Sequence, residues 1–147
     1  MPSVAEDLKR VPLFSGLSQR QLRQLAKDFI RDRRVPAGTL LAKQGEMSGI
    51  AFWVIAEGEA AVIVDGTRVG TMGPGDHFGE LAMISERERT ATVEAVTPMR
   101  CHTVQFWHFR AFAKKNPDVT WKLLQHVAGI LLEEQSRHAA QAESAPT

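Results

Sequence analysis

The chain has 147 residues, 44% of them hydrophobic, which suits one domain around a single core and leaves little room for a second. A formal net charge of +1 argues against an extended nucleic-acid or anionic-membrane surface as the dominant partner, because such surfaces need a marked basic excess. A lone cysteine, Cys101, excludes an internal disulfide, and the sequence has neither a signal-peptide core nor a run of about 18 apolar residues, so the expected location is cytoplasmic with no membrane partner.

In chain order, Val4 to Lys9 is expected to form a short helix. Ser18 and Gln21 have capping-box spacing, and Leu22, Leu25, Ala26 and Phe29 follow at helical intervals, which predicts an amphipathic helix from Leu17 to about Phe29. From Arg31 to Gln105 short β-prone runs such as AFWVI and AAVIV are separated by turn signals, among them Gly58, Asp65-Gly66 and Gly73-Pro74-Gly75. That spacing predicts an antiparallel barrel or sandwich, with Asp65-Gly66 a tight hairpin. A helical pattern returns at Phe106 to Lys115, stops at Asn116-Pro117, and resumes from Asp118 to about Ala139, with Leu124, Val127, Ala128 and Leu131 on one face. The expected organisation is one domain over 1–147: an N-terminal helical segment (1–30), a β-barrel (31–105), two C-terminal helices (106–140) and a frayed tail (141–147).

The stretch GELAMISERERTATV, Gly79 to Val93, carries the chemistry. Glu80 to Ile84 can make one helical turn, and Arg89 to Ala95 alternates as a strand, with Arg89 on the same side as Ala91, Val93 and Ala95. An arginine aimed into a barrel keeps its charge and must meet an anion, either the Glu80 carboxylate or a phosphate. Gly79 lets backbone approach closely, and the first N–H groups of a helix have no internal acceptor. A phosphate held by those amides and by the Arg89 fork, with Glu80 accepting from a sugar hydroxyl, uses every part. A small phosphorylated sugar is the ligand described.

FGELAMISERERTATV, Phe78 to Val93, resembles the phosphate-binding cassette of cyclic nucleotide-binding domains, and the preceding FWVIAEGEAAVIVDG and GPGDHFGE, with Asn116-Pro117-Asp118, extend the resemblance from about Leu13 to Arg137. The family includes cyclic-AMP-dependent kinase regulatory subunits and the catabolite activator protein. The resemblance implies a mainly β fold, an antiparallel jelly-roll β-barrel with N-terminal helices and two C-terminal helices. It implies that Glu80 binds the ribose 2′-hydroxyl, that Arg89 binds the exocyclic phosphate oxygens, and that the N–H groups of Ala82 and Thr90 complete the cradle. Gly79 would admit the ribose, with Leu81 and Ala91 also in the cassette. Base contacts in this family come largely from the last helix, where Leu131, Glu134 and Gln135 are the candidates. The last helix lacks the adjacent Thr-Ser pair by which the catabolite activator protein reads adenine, and His77 stands where a bulky apolar residue is more usual. Thr90 follows the phosphate arginine as in cyclic-GMP-dependent kinases, yet bacterial relatives with Ser or Thr there bind cyclic AMP. Cyclic AMP is therefore the expected ligand, with cyclic GMP the alternative.

The function expected is a stand-alone, non-catalytic cyclic nucleotide sensor. It would relay binding to an unknown protein effector through the last helix, whose apolar stripe could also pair with its own copy in a homodimer. No nucleophile–base pair or triphosphate loop is visible, so no catalytic residues and no cofactor are expected. Two other classes remain: an interaction module with a vestigial or other-ligand pocket, and a relative of bacterial transcription regulators without their DNA-binding module, for which no DNA partner is expected. His77 and His102, with Gly75-Asp76-His77 followed by Glu80, suggest a cupin-like metal-binding barrel, but the second histidine of a paired ligand motif is missing and no metal is expected. Arg31, Arg33 and Arg34 are expected on a solvated strand face; Trp53, Trp107 and Trp121 in the core; Phe106, Phe109 and Phe112 between helix and barrel; and Cys101 as a small buried residue.

Overall fold

The computed structural model describes residues 3–46, 51–79, 84–85 and 88–144, apart from the side chains of residues 31, 143 and 144. Helix α1 (Val4–Lys9) starts at Ser3, whose Oγ accepts from the Glu6 N–H at 3.2 Å. A 3-10 turn over Pro12–Phe14 leads to α2 (Gln19–Ala26). The capping box forms as the spacing predicts: the Gln21 N–H donates to Ser18 Oγ (3.1 Å) and the Ser18 N–H to Gln21 Oε1 (2.9 Å). The helix ends at Ala26, short of Phe29, which nevertheless turns inward and is buried.

Among the described residues eight strands follow: β1 (Ile30–Val35), β2 (Leu40–Ala42), β3 (Ala51–Glu57), β4 (Ala60–Val64), β5 (Thr67–Met72), β6 (His77–Phe78), β7 (Thr92–Ala95) and β8 (Met99–Gln105). They form two four-stranded antiparallel sheets, β1-β8-β3-β6 and β2-β7-β4-β5, in a jelly roll. The β4–β5 hairpin turns on Asp65 (φ 51°) and Gly66 (φ 78°); two consecutive positive φ values are what a two-residue hairpin of this twist requires. Helices α3 (Phe106–Lys115) and α4 (Pro117–Ser144) complete the chain. Proline begins α4, where its missing N–H costs nothing, and helix continues through Gln141–Ser144, a segment expected to fray.

The strands divide their side chains between two cores. On the outer face of the first sheet, Phe52, Val54 and Val104 pack against Leu8, Phe14 and Leu25 of the N-terminal segment. Phe52 is fully enclosed, with edge-on rings at Phe14 (5.6 Å) and Phe29 (6.0 Å), a burial that contributes roughly 1.5–3 kcal/mol. Phe109 and Phe112 of α3 and Val119 and Leu123 of α4 join this core. Between the sheets lie Val35, Ile55, Phe78, Val93 and Cys101. Cys101 is buried as expected, and burial pushes its thiol up to about 11.

Polar ties fasten α1 to the sheet. His102, buried on β8, accepts from the Asp32 N–H at Nδ1 (3.3 Å), which places its hydrogen on Nε2, 2.9 Å from Asp7 Oδ2. Asp32 adopts φ 51° at a bulge in β1, and its carboxylate pairs with Arg100, which also meets Glu57 Oε1 at 3.2 Å.

Two tryptophans depart from expectation. Trp53 is buried, but Trp107 and Trp121 are 52% and 60% exposed, because α3 turns Phe109 and Phe112 to the core and α4 turns Val119 and Leu123. Leu124 and Leu131 lie off that side and are exposed too. An apolar run alone does not say which flank of a helix meets the core.

Candidate functional site

Arg89 is buried, 7% exposed, yet it is not on a strand: β7 begins only at Thr92. Its position is fixed by backbone bonds to the turn after β2. The Arg89 N–H donates to the Glu46 carbonyl (3.0 Å), the Gly45 N–H donates to the Arg89 carbonyl (2.9 Å), and the Gln44 N–H donates to Thr92 Oγ1 (3.0 Å). With the backbone held there, the guanidinium turns to the start of β3, where Nη2 donates to the Ala51 carbonyl at 2.8 Å. The inward direction expected from strand alternation is thus correct, but a turn contact produces it.

Gly79, directly after β6, meets the same two groups. Its φ is +94°, and a Cβ there would overlap the Ala51 carbonyl oxygen and stand 2.6 Å from Arg89 Nη1. Any side chain there would be strained, since both the conformation and the space favour glycine. The structure therefore brings together Gly79 and Arg89, ten positions apart, around the Ala51 carbonyl, a partner the sequence did not indicate. Thr90 is exposed and Ala91 half-buried beside them. Glu80, Leu81 and Ala82 lie outside the described residues, as does most of the Glu80–Ile84 turn.

Leu131, Glu134 and Gln135 lie on the exposed second half of α4, where Glu134 is paired with Arg137 at 2.8 Å. None of the three lines the groove through which α4 meets the cassette. That groove, about 320 Å³, runs between Ile84 and the apolar residues Phe106, Phe109, Leu123, Leu124 and Val127, with Arg110 and Thr120 also in its lining. His77 sits on β6 opposite Val54, its ring 5.9 Å from Phe52. Among the described residues no group of three His, Cys, Asp or Glu could hold a metal, and no helix is long and apolar enough to cross a membrane.

The family model for the cyclic nucleotide-binding domain matches residues 32–116. The chain belongs to the cyclic nucleotide-binding domain family. It is 39% identical over 97 residues to the cAMP-dependent protein kinase regulatory subunit of Schizosaccharomyces pombe, covering 65% of this chain and 23% of that protein, so it spans about a quarter of that relative's length. Among solved structures, the N-terminal domain of a transcriptional regulator from Streptomyces coelicolor A3(2) superposes with a TM-score of 0.79 at 26% identity, covering 88% of this chain and 95% of that one. The regulatory domain of Toxoplasma gondii PKA, solved with cAMP, gives 0.66 at 27% identity, covering 74% and 42%. Within this family frame the Gly79–Arg89 juxtaposition falls in the segment that resembles the phosphate-binding cassette.

Arg33 and Arg34 of the β1 cluster are both exposed, as expected, but they do not share a face. Arg34 lies opposite Arg100 on the outer face, whereas Arg33 lies opposite Cys101 and turns to the inter-sheet side, its guanidinium 5.0 Å from the Trp53 ring centre. The bulge at Asp32 inverts the alternation, and no feature of RDRR announces a bulge.

Proposed function

We propose that the chain binds a cyclic nucleotide, cyclic AMP ahead of cyclic GMP, without hydrolysing it, and passes the binding event to a protein partner through α4. The observation that supports this reading best is the Gly79–Arg89 pair: a buried guanidinium beside a glycine where any side chain would be crowded and strained, in a chain of this family. The planar fork of a guanidinium matches two oxygens of a phosphate, whose charge is opposite to its own. Glu80 is proposed to accept from the ribose 2′-hydroxyl, and the amides of Ala82 and Thr90 to complete the phosphate cradle, with Leu81 and Ala91 alongside.

The groove between Ile84 and α4 supports the relay. A cassette drawn inward by phosphate would change what Ile84 offers to Phe109, Leu123 and Leu124, and so bias the placement of α4. Binding can shift that equilibrium only by the difference in affinity between the two placements, and a partner that prefers one placement raises nucleotide affinity by the same factor. The exposed Trp121, Leu124 and Leu131 are the surface such a partner, an effector or a second copy of this chain, would cover.

Titration calorimetry with cyclic AMP and cyclic GMP tests the reading directly, and heats absent for both would end it. Thr90→Ala separates two roles of the hydroxyl: a phosphate role weakens both nucleotides together by roughly 0.5–1.5 kcal/mol. Loss for cyclic GMP alone would overturn the preference for cyclic AMP. Glu80→Gln should weaken ribose ligands far more than their 2′-deoxy analogues; equal losses would remove Glu80 from the sugar.

A further inference from the structure

The inward arginine on β1 is not used by the phosphate site. Ile30 pairs with Thr103 and Arg33 with Cys101, so β1 takes three steps where β8 takes two. Residues directly opposed in an antiparallel pair share a face, and Cys101 and Met99, opposite Arg33 and Val35, belong to the inter-sheet core. Arg33 is nonetheless exposed, and among the described residues no carboxylate comes within salt-bridge distance of it. Its guanidinium carbon lies over the Trp53 ring, 5.0 Å from the centre, and Trp53 stacks in turn on Phe78 at 6.1 Å and 8°. A cation–π contact occupies no N–H donor as a hydrogen bond would, so the fork keeps donors for a ligand.

This wall adjoins the phosphate site. Gly79 follows Phe78, and Trp53 is two residues along β3 from Ala51, about 7 Å at the rise of an extended strand. A nucleotide anchored at Arg89 has its sugar and base left to contact what lies beyond. Trp53 adds a second sign of an incomplete wall: the ring is nearly enclosed, yet Nε1–H has no hydrogen-bond partner among the described residues. Arg33 and Trp53 are both donors and neither accepts, so their complement is an edge made of acceptors. Guanine offers O6 and N7 side by side, both acceptors, whereas adenine offers N7 beside the N6 donor.

We propose that Arg33, supported on Trp53, reads the acceptor edge of the base and thereby keeps cyclic GMP as a second ligand beside cyclic AMP. The proposal rests on the nucleotide site described above, and its test separates the two. Calorimetry with both nucleotides is compared for the unmodified chain, Arg33→Ala and Arg33→Lys, with thermal unfolding confirming that each variant is folded. Arg33→Ala is expected to lower cyclic GMP affinity about tenfold and cyclic AMP affinity less than about threefold, and Arg33→Lys to restore only part, because a point charge lacks the fork. Equal losses for the two nucleotides, or no loss, with binding by the unmodified chain intact, would overturn the role of Arg33 and leave the nucleotide site standing. An unmodified chain that binds neither nucleotide would overturn both. Should Arg33→Ala not fold, 7-deaza cyclic GMP tests the same contact on the unmodified chain: a severalfold loss relative to cyclic GMP is expected, and an unchanged affinity would overturn the proposal.

Discussion

Arg89 and Ala51 stand 38 residues apart in sequence and are joined by a 2.8 Å hydrogen bond from Nη2 to the Ala51 carbonyl. The bond aims a buried cation at the junction of β3 with the end of β6, and it ties the arginine's orientation to the backbone of the sheet. Arg89→Ala should weaken cyclic nucleotide binding by about 2–5 kcal/mol, through loss of a forked charge-assisted contact. It should also cost the fold about 1–3 kcal/mol, because the Ala51 carbonyl loses its donor. Arg89→Lys should recover part of the binding. A folded Arg89→Ala protein with unchanged affinity would remove the proposed function.

Gly79→Ala is the complementary test. A Cβ meets the Ala51 carbonyl and Arg89 Nη1 together, at a φ of +94° that side chains rarely adopt. Backbone strain of about 1–2 kcal/mol adds to an overlap cost of about 1–3 kcal/mol, so urea unfolding should show a loss of a few kcal/mol. Gly66→Ala, at a turn where a Cβ meets nothing within 4 Å, should cost distinctly less. Equal losses at the two positions would mean that the crowding at Gly79 is relieved by movement of both Arg89 and the Ala51 backbone.

The Asp32 carboxyl is held below the ordinary carboxylate range, first by its hydrogen bond from Arg100. A group whose folded value is depressed contributes stability above its unfolded value, about 3.9, and loses that contribution as pH falls through the lower folded value. Melting temperatures followed downward from about pH 5 should therefore fall more steeply for the unmodified chain than for Asp32→Asn. Parallel curves would mean that Arg100 and Asp32 gain nothing from their charge. Asp32 is well exposed to solvent, so the difference should shrink as salt is added.

Cys101 should be unreactive in the native protein. Burial raises its thiol to about 11 and encloses the sulfur, so both thiolate fraction and access are low. At about pH 8 a thiol-specific disulfide reagent should label the native chain slowly and label it fully in denaturant. Fast native labelling would place Cys101 at a mobile surface.

Much of this fold was legible in the sequence because the signals were local. Ser18 and Gln21 close a ring within four residues, Asp65-Gly66 supplies both positive φ values of a hairpin, and Asn116-Pro117 breaks two helices where the structure breaks them. Arg89 was legible for a different reason: a charge amid strand-like residues has to be accounted for. The less legible features depend on register. The inward turn of Arg33 comes from one extra residue at Asp32, and the sequence carries no mark of which strand will sit opposite. The exposure of Trp107 and Trp121 depends on which flank of α3 and α4 meets the N-terminal helices, a choice made by the partner elements and not by the apolar residues themselves.

Helix α4 has 28 residues, and its residues from Ile130 to Ala142 are exposed, while Val119 and Leu123 near its start are held in the core. At 1.5 Å per residue it is about 42 Å long, so a rotation of about 10° around Asn116 would carry its far end roughly 7 Å. The groove beside Ile84 lies close to that fulcrum, on the short arm. In the proposed relay, a repacking of a fraction of an ångström there would be geared up several-fold at the tip, and α4 would act as a pointer whose mechanical advantage comes from helix length alone.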